Sequence, residues 1–82
     1  MPNNNEDKIV VKGLQSPGPL LIVKKKLPEI KRNRLRIIVS HNDAADDLVE
    51  YFTDNGAEVE VDRAGDDYHI VVDLTNFEDR DR

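Results

Sequence analysis

The sequence predicts an α/β two-layer sandwich of βαβαββ order, with two helices on one face of a four-stranded mixed sheet. Three observations carry that expectation. Four segments rich in β-branched residues alternate with two segments of helical apolar spacing. The 82 residues suffice for one domain. Right-handed crossovers would put both helices on the same face of the sheet. A chain of this length buries only about 60% of the surface its unfolded form exposes, so it can build one small core.

The first strand is "KIVVK", residues 8–12, whose β-branched residues Ile9, Val10 and Val11 are followed by the break at Gly13. In the helix that follows, Leu20, Val23, Leu27 and Ile30 share a face at spacings of three and four. Pro28 bends or ends that helix, since an interior proline costs about 3 kcal/mol. The second strand, "LRIIVSH", sets Leu35, Ile37 and Val39 on one face and Arg36, Ile38 and Ser40 on the other. The second helix has Asn42 or Asp43 as its cap and acids at 43, 46 and 47 near its positive end. Ala45, Leu48, Val49 and Phe52 form its buried stripe, and Asn55-Gly56 stops it. "AEVEVDR" alternates so that only Val59 and Val61 face a core. After the turn "AGDD", the last strand sets Tyr68, Ile70, Val72 and Leu74 inward and His69, Val71 and Asp73 outward. Residues 1–7 and 75–82 read as disordered tails around a domain at 8–74, with Phe77 lacking apolar neighbours to join.

With no cysteine there is no disulfide, thiolate zinc site or redox pair. The N-terminus lacks a basic start and an apolar stretch, and the longest apolar run is the four residues Leu20 to Val23. Neither a signal peptide nor a membrane span is expected, which makes the cytoplasm the default.

The net charge of −5 hides a division. Seven basic residues, Lys24, Lys25, Lys26, Lys31, Arg32, Arg34 and Arg36, stand against Glu29 alone, whereas fourteen acids follow from Asp43 onward against three arginines. The basic stretch is a candidate surface for an acidic protein. Nucleic acid is a weaker candidate, because two tyrosines and two phenylalanines supply no stacking platform. The uncovered sheet face would show Val10, Ile38 and Val71 among Lys8, Lys12 and His69, a pattern compatible with a monomer or a weak dimer.

The chemistry-bearing stretch is "GLQSPGPLL", residues 13–21. Ser16 reads first as a helix N-cap, with Pro17 at the first helical position and Pro19 still within the first turn. The C-terminal ends of parallel strands share an edge, so His41 and Asp43 are expected near Ser16. A catalytic serine would need a base and an oxyanion hole; His41 is a candidate base, but no group is evident to orient it. An anion site there is weakened by Pro17 and Pro19, which lack N–H donors, and by the acids at the second helix start. His41, Asp43 and Asp47 are within reach of one another as metal ligands, yet the helix dipole explains those carboxylates, so no metal and no cofactor is expected.

The run of short strand, Gly13, Leu14, a polar residue, Ser16, Pro17, any residue, Pro19 and an aliphatic and basic helix resembles the TusA/SirA/YhhP-like sulfur carriers. "KGLQSPGPLLIVKKKL" follows their pattern from Gly13 to Leu27, with Ser16 at the cysteine position. The order of later elements agrees as far as Leu74. The resemblance implies a cytoplasmic sulfur-relay protein whose cysteine carries a persulfide from a cysteine desulfurase to an acceptor protein, as in thiolation of the tRNA wobble uridine. A thiol at a helix N-terminus suits that role, because the dipole favours anionic sulfur. A serine hydroxyl cannot hold sulfane sulfur. Sulfurtransferase activity is therefore not expected, and the chain is either a cysteine-replaced carrier or a non-catalytic binding or regulatory homologue. The alternative is a small adaptor docking an acidic protein or RNA through residues 24–36.

Overall fold

In a computed structural model, residues 6–78 are described. The chain runs β1 (Glu6–Val11), α1 (Gly18–Lys26), a 3-10 turn (Leu27–Glu29), β2 (Arg34–Val39), α2 (Asn42–Asp54), β3 (Glu58–Ala64) and β4 (Asp67–Asp73). The strands form one sheet in the order β1-β2-β4-β3, with β1 and β2 parallel and the other pairs antiparallel. This is the expected two-layer sandwich.

Strand alternation divides the sheet. Ile9 and Val11 of β1, Leu35, Ile37 and Val39 of β2, and Ile70 and Val72 of β4 point to the helices and join one buried cluster with Val23, Leu48 and Phe52. Ile38 and Val71 point the other way. They are only 8% and 6% exposed although no described helix covers them, because they occupy the two central strands between long neighbours, Arg36, His69 and Glu60, in the register.

Helix α1 ends at Lys26, and Pro28 sits in the following 3-10 turn, so the proline ends the helix. Val23 and Pro19 are its buried residues, while Leu20, Leu27 and Ile30 pack at the rim of the cluster. Helix α2 starts one residue earlier than expected. His41 is its N-cap, without a side-chain cap bond, and Asn42 and Asp43 already lie within the helix. Its buried stripe is Ala44, Ala45, Leu48, Tyr51 and Phe52, spaced as one helical face requires. Tyr51 belongs to that stripe and Val49, expected there, is half-buried.

Two expectations about the tails need correction. β1 begins at Glu6, within the segment expected to be disordered. Asp7 accepts hydrogen bonds from the N–H groups of Lys31 and Arg32 at 3.1 and 3.2 Å, and Glu6 pairs with Arg36 at 2.8 Å. Polar anchoring therefore extends the strand where apolar patterning ran out. Phe77, which has no apolar neighbours in the sequence, stacks edge-on or tilted against Tyr51 and Phe52 at centroid distances of 6.0 and 5.4 Å. The backbone holds it there: Phe77 N–H donates to Leu74 O and Glu78 N–H to Asn55 O. Gly56 makes the approach feasible. It adopts φ +94°, and a Cβ there would stand 2.8 Å from the Asn76 carbonyl oxygen. The rest of the expected tails, residues 1–5 and 79–82, lies outside the described residues.

Candidate functional site

Because β1 and β2 are parallel, the loops leaving their C-terminal ends open on one edge of the sheet, and α2 starts there too. Gly13, at φ +85°, turns the chain out of β1, and its N–H donates to the Ser40 hydroxyl at 2.8 Å, tying the two loops together. Across the same edge, Lys12 meets Asp67 at 2.9 Å.

Ser16 does not cap α1, contrary to the sequence reading. The N-cap is Pro17, the helix begins at Gly18, and the Ser16–Pro17 peptide is cis. The Ser16 hydroxyl instead donates to the Asp47 carboxylate, one turn into α2. The sequence reading assigns Asp47 to the helix dipole, with a metal ligand as the alternative, and not to Ser16. The signal for its actual role was its place four residues after Asp43 on a helix that starts at this edge.

His41 and Asp43 reach the same edge without completing a reaction centre. Ser16 bonds to Asp47 rather than to His41, whose backbone carbonyl accepts from Ala45 N–H at 3.1 Å as α2 begins. Asp43 is exposed. Among the described residues, no three His, Asp or Glu side chains assemble as a metal cluster. The start of α1 is poor in donors as well: Pro17 and Pro19 carry no N–H, and Gly18 N–H is occupied by Gln15 O at 2.8 Å. Either side of Ser16 in the chain, Leu14 and Leu21 are 41% and 59% exposed.

The basic stretch does not make one surface. Lys24 lies over the Tyr51 ring at 5.1 Å, on the helical layer. Lys25 and Lys26 are exposed at the end of α1, and Lys31 and Arg32 on the loop before β2. Arg34 and Arg36 project from the opposite, open face of the sheet, where Arg36 also contacts His69 Nδ1 at 3.0 Å.

A parallel strand pair whose first crossover begins at a proline-flanked, exposed loop defines a class of small two-layer sandwiches with one outward-facing junction. The family model for Sulfurtransferase TusA matches residues 8–73, and the chain belongs to this sulfur-carrier family. The SirA-like protein from Desulfitobacterium hafniense has the same fold, with a TM-score of 0.68 at 17% identity over 80% of this chain and 93% of that one. No curated protein matches the sequence significantly. Among the described residues, no helix is long and apolar enough to cross a membrane.

Proposed function

We propose that this family member has lost sulfur transfer and serves as a non-catalytic binding or regulatory homologue that docks a protein at the Ser16 edge. The observation that carries the reading is the Ser16–Asp47 hydrogen bond. A carrier's thiolate or persulfide at position 16 would face that carboxylate, and like charge disfavours the anionic sulfur that must attack or be held. The position thus departs from the carrier pattern twice, in the missing thiol and in the charge set beside it. The exposed Leu14 and Leu21 remain as apolar contacts for a partner. On this reading the protein acts in the cytoplasm, and tRNA thiolation is not its role.

The test is sulfur loading followed by intact mass. On incubation with a cysteine desulfurase and free cysteine, Ser16→Cys should gain little sulfur, and Ser16→Cys with Asp47→Asn should gain more. Alkylation rate against pH should give a thiol pKa that falls when Asp47 is neutralised. Equal loading and equal thiol pKa in the two variants would overturn the reading and restore a carrier lacking only its cysteine.

A further inference from the structure

The open face of the sheet is electrically divided along the strands. On the β1–β2 half stand four basic residues, Lys8, Lys12, Arg34 and Arg36, with Glu6 as the one acid. The β4–β3 half carries five acids, Glu58, Glu60, Asp62, Asp67 and Asp73, and no lysine or arginine. Ile38 and Val71 flank the seam between the halves, and Val10, 56% exposed, stands beside Ile38 on the outer strand β1. Lys8, Glu60 and Asp62 make no ion pair among the described residues.

We propose that this face binds a second copy of the chain, forming a twofold dimer whose axis runs parallel to the strands between β2 and β4. Rotation about that axis lays β1 of one copy over β3 of the other, so each basic half meets an acidic half. Lys8 and Glu60 lie in one row of the register, through Arg36 and Val71, and the rotation brings Lys8 over Glu60 of the second copy, twice per dimer. Arg34 and Asp73, neighbours in another row, are exchanged in the same way; at the ends of that row Glu6 comes over Glu58, a like-charge contact that the Glu6–Arg36 ion pair offsets. The alternative twofold, across the strands, would place β1 on β1 and like charge on like. Sheets packed face to face stay within about 30° of alignment, so matched rows survive the sheet's twist.

The area sets the strength. Four strands about 4.8 Å apart, each six or seven residues long at roughly 3.3 Å per residue, span on the order of 400 Å² per copy. Twice that lies below the ~1,200 Å² at which stable interfaces begin. The dimer is therefore weak, concentration-dependent and salt-sensitive. It leaves the Ser16 loop free and does not depend on what that loop does.

The experiment is sedimentation equilibrium over a concentration series with the full chain, with Lys8→Glu and with Glu60→Lys. Both positions are exposed, and circular dichroism verifies folding. The native chain should dimerise at low salt and weaken at least tenfold at high salt. Each variant alone should lose at least tenfold in association, because its rows become acid on acid or base on base. An equimolar mixture of the two should recover it, since both rows are then complementary. A native chain that stays monomeric at millimolar concentration, variants that dimerise as well as the native chain, or a mixture that does not recover would each overturn the proposal.

Discussion

The two faces of this sheet are written by the same four strands, one residue out of step. On one face Leu35, Ile37, Val39, Ile70 and Val72 are wholly buried beneath two helices. On the other, one residue along, stand Arg34, Arg36, Ile38, His69 and Val71, over which no described element packs. The first face determines whether the chain folds. The second is free of that duty, and its charge pattern is open to determining what the folded chain meets. The same distinction separates Phe52, without which there is no core, from Ser16, which the fold tolerates at an exposed loop.

Substitutions can break this comparison or sharpen it. The largest effect belongs to the covered face: Phe52→Ala should cost about 3–5 kcal/mol in chemical denaturation, enough to unfold much of a domain this small. Adjacent residues on β4 give the sharpest contrast. Val72 and Val71 are both nearly inaccessible, at 0% and 6%. Val72→Ala leaves a cavity under fixed helices and should cost roughly 2–3 kcal/mol, whereas Val71→Ala leaves a space that flexible side chains can refill and should cost about half as much. Equal losses would mean that the open face is as tightly packed as the covered one.

The smallest effect concerns Asp73 at the acidic end of the open face. Hydrogen bonds from Thr75, by side chain and by N–H, hold its carboxyl below the usual range, with Arg34 adding attraction. A depressed carboxylate contributes stability that is fully present above its unfolded value and lost as pH falls through its folded value. Thr75→Ala should raise the Asp73 titration midpoint in carboxyl-detected NMR and slightly reduce stability only above the acid range.

Much of this was legible in the residues. Apolar alternation located β2, β3 and β4 to within two residues, the β-branched run before Gly13 located β1 as closely, and the helical spacing of Leu48 and Phe52 located α2, because burial of one face leaves a period in the sequence. Ends held by polar or aromatic groups left no such period. Asp7 anchors β1 by accepting backbone N–H bonds from a loop 24 residues away, and Phe77 meets Tyr51 and Phe52 across more than 20 residues of chain. At the candidate site, the shared edge of Ser16, His41 and Asp43 followed from parallel topology. The bond to Asp47 did not, because local rules assigned Ser16 to capping its own helix.

The short segment after β4 has a practical consequence. Leu74 N–H reaches Asn33 O at 2.6 Å, and Glu78 lies against the end of α2. β1 starts at that same end of the sheet, so Glu6 and Glu78 both sit at the edge opposite Ser16. A tag, a fluorophore or an entire domain fused beyond either residue would leave the sheet on the far side. The Ser16 junction would stay clear, and partner capture can be run from either end of the chain.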